Sequence, residues 1–193
     1  LTITNVVGSA LAREATGVLY MHAGPEIGVA STTAFVTMIV STYLLALWLG
    51  RQRGAITAED VKKHIHDLVE IPRLVETVLE QDGRIAALAR ELAGGEMKHG
   101  PIALIADRLP VVALMPRDGS YDRMLGNIEE VRARDGLVIA IAHPGDRTVA
   151  SKADHVIDVP LAAELLLPIL TTIPLQLLAY HIAVRLAKSV TVE

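Results

Sequence analysis

The chain of 193 residues contains no cysteine, one tryptophan and one phenylalanine. The lack of cysteine excludes disulfides, thiolate nucleophiles and zinc–thiolate sites, and it is typical of the reducing cytoplasm, where we expect this protein. Aromatic residues make up 3% of the chain, and 18 basic residues are outnumbered by 22 acidic ones, which gives a net charge of −4. A chain with so little stacking surface and no excess of positive charge is not expected to bind nucleic acid.

Two kinds of ligand-binding motif are also missing from the sequence. It has neither a Gly-x-Gly-x-x-Gly run nor a Walker loop, so nothing predicts nucleotide binding. The histidines lack the spacing of metal ligands, and His64 and His66 lie two positions apart on a predicted helix, where they do not face one another. We therefore expect no metal and no cofactor.

Apolar residues, by contrast, reach 51% of the chain, which raises the question of a membrane. A spanning helix needs about 20 mostly apolar residues, and a carboxylate near the bilayer centre is costly. The apolar run 35–49 is too short, and the run 161–184 contains Glu164, Pro168 and Pro174. We therefore expect no membrane segment and interpret both runs as buried helices of an α/β domain.

Short runs rich in valine, isoleucine and leucine alternate with helical patterns along the chain. The predicted strands are 1–7, 18–22, 111–115, 137–142 and 155–159, and the predicted helices are 31–49, 58–79, 83–92, 121–134 and 168–186. This alternation predicts a doubly wound parallel sheet with helices on both faces. Strand 137–142 is apolar at every position, as expected where both faces of the sheet are covered. Thr57, followed by Glu59 and Asp60, is typical of a helix start.

The densest cluster of polar residues lies at 94–101, with the sequence Gly-Gly-Glu-Met-Lys-His-Gly-Pro. It resembles a signature in the isomerase part of the glutamine–fructose-6-phosphate aminotransferases, also called glucosamine-6-phosphate synthases. Residues 26–35 are similar to a second run of this family, in which a lysine stands where this chain has Thr33. Residues 186–193 match the family's carboxyl-terminal octapeptide, segments 127–134 and 174–181 also look like family segments, and all five occur in the family's order.

The resemblance implies two sugar-isomerase (SIS) domains in tandem, both incomplete. Residues 1–55 would be the carboxyl-terminal part of the first lobe, residues 56–83 connecting helices, and residues 84–193 the second lobe with its active-site tail at 186–193. Against the family pattern, the front half of the first lobe is missing. A strand–helix unit of roughly 30–40 residues is missing after Leu92, and a short loop is missing after Arg185. Because the first residue is leucine, we expect the sequence to be part of a longer chain.

The resemblance also implies the roles of individual residues. His99 would open the hexose ring by proton transfer, reaching across a dimer interface, and Lys188 would engage the carbonyl of the open-chain sugar. The residues implied to contact the substrate are Val29, Ala30, Ser31, Thr32 and Ala187. Without the resemblance, His99 equally fits a turn cap, and Lys188 fits a solvated lysine. Ser31 or Thr32 also fits the N-cap of the following helix, a role compatible with binding.

The implied reaction converts fructose 6-phosphate and ammonia from glutamine into glucosamine 6-phosphate. The implied partners are the sugar phosphate, a second copy of the chain in a homodimer, and a glutaminase domain in the full-length protein. This chain alone is expected to be inactive, because the missing strand–helix unit carries the family's catalytic glutamate. The alternative is a non-catalytic SIS regulatory module that binds a sugar phosphate. Such modules are usually single and lack the tail 186–193, which favours the enzyme.

Overall fold

A computed structural model describes residues 1–26, 31–94 and 110–190, without the side chains of 93–94 and 188–190. The chain divides into two compact units, Leu1–Glu70 and Ile71–Glu193. The first contains β1 (Thr2–Thr4), α1 (Ala10–Glu14), β2 (Val18–Tyr20) and α2 (Thr33–Gln52), and the boundary falls within α3 (Ala58–Leu79). The second contains α4 (Asp82–Gly94), β3 (Pro110–Met115), α5 (Tyr121–Arg132), β4 (Leu137–Ala142), α6 (Arg147–Ala150), β5 (His155–Asp158), a 3₁₀ turn (Glu164–Leu166) and α7 (Leu167–Val190).

In the first unit, β1 and β2 pair in parallel and are followed by the long helix α2. Only the α2 side chains of Ser41, Tyr43 and Leu47 are buried, although the helix is apolar on nearly every side. The hydroxyl of Tyr43 is 2.8 Å from Nδ1 of His64, so a hydrogen bond links α2 to α3. A helix that is apolar all round normally belongs in the interior of a larger domain.

The start of α3 confirms the predicted role of Thr57. Its hydroxyl accepts a hydrogen bond from the Asp60 amide at 3.1 Å, and the Asp60 carboxylate accepts one from the Thr57 amide at 2.8 Å. This reciprocal pair satisfies two amides that a helix start otherwise leaves unpaired.

In the second unit, the described strands form a parallel sheet in the order β3-β4-β5. Side chains alternate between the two faces of a strand, and in β4 every residue after Leu137 is buried. One face of the sheet packs on α5 in a cluster of buried residues: Ala113, Met115, Ile128, Val138, Ala140, Ala142 and Val149. Ile139 and Ile141 point to the opposite face and are also buried. The structure thus confirms the predicted parallel α/β fold and the covering of both faces at strand 137–142.

Polar side chains cover the outer edge of β5. Gln81 donates from Nε2 to the carbonyl of Asp158 at 2.6 Å and accepts from the amide of the same residue at 3.0 Å. Arg84 donates from Nη2 to the carbonyl of Val156 at 2.6 Å. Such pairing occupies backbone groups that an exposed edge strand would offer to another chain.

All five predicted strands are present, but the boundaries differ in the first unit. The runs 1–7 and 18–22 form strands of only three residues each. The helices α1 and α6 were not predicted, because segments of five and four residues are too short to show a helical period. The predicted helix at 121–134 ends at Arg132, and the exposed side chains of Glu130 and Arg134 form an ion pair at 3.7 Å.

Two helices, Thr33–Gln52 and Glu164–Ala187, are long and apolar enough to cross a membrane by length and composition. The sequence-based statement that the first run is too short was therefore wrong, because the helix extends beyond 35–49 at both ends. Buried core helices pass the same test, so length and composition alone do not distinguish the two environments.

The pairing of Gln81 with β5 gives a prediction for stability. Gln81→Ala leaves the N–H and C=O of Asp158 unpaired in a partly buried position, and we expect a loss of about 1–3 kcal/mol in the free energy of unfolding. Urea denaturation followed by circular dichroism measures this loss. The matched control is Glu80→Ala, at the exposed preceding residue, which should change stability by less than about 0.5 kcal/mol. Equal effects of the two substitutions would contradict the role of Gln81.

Candidate functional site

The carboxyl ends of β1 and β2 meet at one edge of their sheet, where ligands commonly bind in open parallel sheets. Asn5, just after β1, donates from Nδ2 to the carbonyl of Gly24 at 2.7 Å and accepts at Oδ1 from the amide of Ala23 at 2.9 Å. These two bonds fix the turn after β2, in which the exposed His22 has a left-handed backbone with φ of 52°. Such a conformation is uncommon outside glycine and is held here by its surroundings.

The carboxylate of Glu26 fills the amino-terminal end of α2. Oε1 accepts from the Thr32 amide at 2.7 Å, the Thr32 hydroxyl at 2.8 Å, the Thr33 amide at 3.1 Å and the Thr33 hydroxyl at 3.3 Å. Oε2 accepts from the Ala34 amide at 3.1 Å and the Ser31 hydroxyl at 3.3 Å. Six donors therefore converge on one side chain.

These hydrogen bonds favour the ionised form of Glu26. The backbone amide and the hydroxyl of Thr32 contribute most, and together with the amides of Ala34 and Thr33 they lower the pKa of Glu26 to about 2. The positive end of the helix dipole acts in the same direction. Glu26 is therefore a carboxylate throughout the neutral pH range.

The N-cap of α2 lies at Thr32, one of the two expected positions, but the expected side-chain capping bond is not formed. The Thr32 hydroxyl donates to Glu26 instead, as does the hydroxyl of Ser31. The structure thus brings these two predicted substrate-binding residues together around a single carboxylate. Val29 and Ala30, predicted to bind beside them, lie outside the described residues.

The remaining predicted site residues belong to the second unit. Ala187 is exposed near the end of α7, and Lys188 follows it on the same helix. The side chain of Lys188 is not among those described, and His99 lies outside the described residues together with its neighbours Glu96 and Lys98. Their proposed roles therefore stay predictions.

The carboxyl edge of the second sheet holds a different arrangement, centred on Asp146. Its side chain is 1% exposed and accepts hydrogen bonds from the Tyr121 hydroxyl at 2.7 Å, the Arg117 Nε at 3.3 Å and the Val149 amide at 3.1 Å. Burial opposes ionisation, but the bonds from Tyr121, Val149 and Arg117 outweigh it and lower the pKa of Asp146. Burial, with the bond to Asp146, raises the pKa of Tyr121. The cluster ties β3, α5 and α6 together.

Sequence reasoning assigned no role to Glu26 or Asp146. Asp146 had a local signal, since it follows a Pro-Gly turn and directly precedes α6, the usual position of an N-cap aspartate. Glu26 had none, because it lies five to eight residues before its partners and no capping pattern has that spacing. Within 1–26, 31–94 and 110–190, no three His, Asp or Glu side chains are grouped so that they could hold a metal ion.

Comparison with known proteins gives a family match over most of the chain. The sequence profile of the SIS domain matches residues 1–48 and 91–186. The Francisella tularensis structure described as the C-terminal domain of glucosamine-fructose-6-phosphate aminotransferase superposes with a TM-score of 0.80 and 29% identity. The superposition covers 94% of this chain and 61% of the Francisella tularensis chain.

Curated relatives carry a consistent name. A Thermus thermophilus protein named glutamine–fructose-6-phosphate aminotransferase [isomerizing] is 44% identical over 239 aligned positions, which include all of this chain and 40% of the relative. The Methanosarcina mazei protein of that name is 39% identical over 239 positions, with all of this chain and 39% of the relative covered. The chain thus spans about two fifths of these relatives. Because it has 193 residues, the aligned region of each relative contains residues without a counterpart here.

The bonds to Glu26 predict a pH-dependent contribution to stability. Because the pKa falls from 4.5 to about 2 on folding, this contribution is fully present above pH 4.5 and is lost as the pH falls towards 2. Glu26→Gln cannot carry the charge, so the variant should be less stable than the parent at pH 7. The difference should shrink between pH 4.5 and 2. Thermal unfolding of both proteins across this range measures it.

The control for this experiment is Glu14→Gln, at an exposed carboxylate of α1. It changes the net charge by the same amount and should leave the pH dependence of the parent intact. A constant difference between Glu26→Gln and the parent from pH 7 to pH 2 would contradict the assignment.

Proposed function

Because this chain belongs to the SIS domain family, we propose that it is the isomerising part of a glutamine–fructose-6-phosphate aminotransferase, which makes glucosamine 6-phosphate from fructose 6-phosphate. The observation that carries the proposal is the 44% identity to a protein of that name, since the match includes every part of this chain. Three motifs quoted above, at 26–35, 94–101 and 186–193, lie within the matched region.

The proposed domain organisation follows the family. Residues 1–55 form the carboxyl-terminal part of the first SIS lobe, residues 56–83 connect the lobes, and residues 84–193 form the second. Two observations support incomplete lobes: the described part of the first unit has a sheet of only two strands, and the relatives carry additional residues inside the aligned region. The extra residues would include the strand–helix unit expected after Leu92.

The proposed chemistry needs an acid–base group and an amine. A histidine imidazole ordinarily exchanges protons near neutral pH, and His99 is assigned the opening of the hexose ring by moving a proton to or from the ring oxygen. The amine of Lys188 then attacks the C2 carbonyl of the open sugar, and loss of water forms an imine. Ser31, Thr32 and Ala187, with Val29 and Ala30, contact the sugar. The proton transfer between C1 and C2 is assigned to the glutamate of the missing unit, so this chain alone is expected to be inactive.

The imine gives a direct test of the proposed function. Borohydride reduces an imine to a stable secondary amine, so treatment with fructose 6-phosphate should attach the sugar at Lys188. We expect weak or absent labelling of this chain, and clear labelling once the additional residues of a relative are restored. Mass spectrometry of proteolytic peptides locates the adduct.

Two variants of the restored chain complete the test. Lys188→Arg keeps the positive charge but forms no imine, and it should abolish the label. Lys62→Arg, at an exposed lysine of α3, should label like the parent. If Lys188→Arg labels as strongly as the parent, Lys188 is an ordinary surface lysine.

We further propose that the chain forms a homodimer in the cytoplasm, with His99 contributed across the interface. The supporting observation is the amount of apolar surface that each unit leaves uncovered. Examples on α2 are Met38 and Trp48, of which Trp48 is 59% exposed, and examples in the second unit are Leu161 and Leu165. Large exposed apolar side chains at such density are typical of surfaces that another chain covers.

Analytical ultracentrifugation tests the dimer. We expect a species of twice the chain mass of 20.7 kDa at micromolar concentration, because an isolated copy would expose the apolar side chains of α2 to water. A well-folded monomer at that concentration would contradict the proposal.

A further inference from the structure

Helix α7 leads into the tail 186–193, and its two halves are anchored differently. The first half is fixed in the core by buried side chains such as Leu167 and Leu170. Among the described side chains of α7, Leu178 is the last one that is buried. Pro174 lies between the halves and has no amide hydrogen for the helix ladder, which weakens the helix at that point. Deep burial therefore ends eight residues before the tail begins.

A polar contact continues the anchoring beyond Leu178. Nε2 of His181 lies 2.6 Å from Oδ1 of Asp82, the first residue of α4. An ionised carboxylate only accepts hydrogen bonds, so the imidazole donates this one. The ring of His181 also contacts the ring of Tyr180, with centroids 5.2 Å apart. These two contacts orient the imidazole, whose side chain is 19% exposed, and the bond to Asp82 ties the second half of α7 to α4.

The position of this bond along α7 connects it to the tail. The tail begins five residues after His181, which is little more than one helical turn. In this chain α7 continues through the junction to Val190. In a longer form with the short loop expected after Arg185, the helix still carries the tail to its starting point. In either form, the bond fixes the place from which Lys188 is presented.

A second histidine–carboxylate contact on α4 has the same chemistry but a different partner element. Nε2 of His155, in β5, lies 3.4 Å from Oε1 of Glu91, near the end of α4. Both carboxylates are more than half exposed, at 52% for Asp82 and 59% for Glu91. The His155 contact ties α4 to the sheet, whereas the His181 contact ties it to the helix that bears the tail. The first is therefore a matched control for the second.

We propose that His181 and Asp82 are positioning residues, whose bond holds the second half of α7 against α4 and so places the tail that carries Lys188. The role of Lys188 rests on the proposed function, whereas the anchoring of α7 does not. Neither His181 nor Asp82 is assigned a contact with the sugar, so both act through the helix. Because a misplacement of about 1 Å can lower a rate by about 100-fold, the direction of α7 matters for chemistry at the tail.

Amide hydrogen exchange, measured by NMR on this chain, tests the anchor. In Asp82→Ala, the amides of 182–190 should exchange at least about tenfold faster than in the parent, and those of 167–178 should change less than about twofold. His181→Ala should have the same effect and serves in its place if Asp82→Ala does not fold. The double variant should exchange no faster than either single variant, because one bond is lost in all three.

Two further variants separate the anchor from general stability. His181→Gln has a side-chain amide that can still donate to Asp82, so it should retain the slow exchange of 182–190. Glu91→Ala removes the control contact with His155 and should leave these amides like the parent. The anchor is overturned if neither Asp82→Ala nor His181→Ala speeds the exchange of 182–190, or if Glu91→Ala speeds it equally.

The consequence for chemistry is measured on the restored chain by borohydride labelling. His181→Ala should slow the labelling of Lys188 at least about tenfold, with the same half-saturating concentration of fructose 6-phosphate, because the tail is misplaced while the sugar contacts remain. His181→Gln and Glu91→Ala should label like the parent. Equal slowing by Glu91→Ala and His181→Ala would overturn the positioning role. If the restored parent does not label at all, the proposed function fails, and the exchange experiment on this chain still decides the anchor.

Discussion

The second unit depends on the burial of β4 on both of its faces. Five consecutive residues of this strand, 138–142, are buried, and a parallel sheet is stable in water only when helices cover it on each side. Ile139 and Ile141 on one face each stabilise the fold by about 1.5–3 kcal/mol when removed from water. The helices of this unit cover the sheet: α5 packs on one face of it, and α4 packs against α7. Gln81, just before α4, and Arg84, in its first turn, then close the edge at β5.

The same requirement explains why the first unit leaves so much apolar surface exposed. Its described part contains two strands of three residues and a 20-residue helix that is apolar all round. Two short strands cannot bury such a helix, which is why Trp48 and Met38 remain exposed. The aligned region of the relatives contains residues without a counterpart in this chain. The side chains of Trp48 and Met38 thus remain available to a second chain, as the proposed homodimer requires.

Much of the fold could be predicted because the sequence patterns that indicate it involve residues close together in the chain. Strand β4 begins and ends where its uninterrupted apolar run does, and the capping pair of Thr57 and Asp60 lies within four residues. The contacts that close the edge of β5 and those that position the candidate site are not local. Gln81 bonds to a residue 77 positions away, and Asn5 bonds to the backbone 18 and 19 positions away. No periodicity or capping rule spans these distances, so their partners become evident only once strands and helices are assembled. Ser31 and Thr32 were predicted at the start of a helix, and they lie there in the structure. That their hydroxyls donate to Glu26 could not be predicted from the sequence.

The carboxyl edges of the two sheets resemble each other, but their polar side chains differ in exposure. At each edge a carboxylate caps the helix that follows a strand: Glu26 caps α2, and Asp146 caps α6. Asp146 is almost completely buried and is held by Tyr121 and Arg117, so its hydrogen-bonding capacity is used inside the protein. Glu26 instead organises hydroxyls that remain exposed. The segment before it contains His22, which has a left-handed backbone, and the side chain of Asn5 bonds the backbone of the next two residues, Ala23 and Gly24. Backbone strain persists only where the surroundings impose it, and it concentrates at functional sites. The first edge therefore has the accessible polar groups that recognition requires, whereas the second has the buried polar contacts that stabilise a fold.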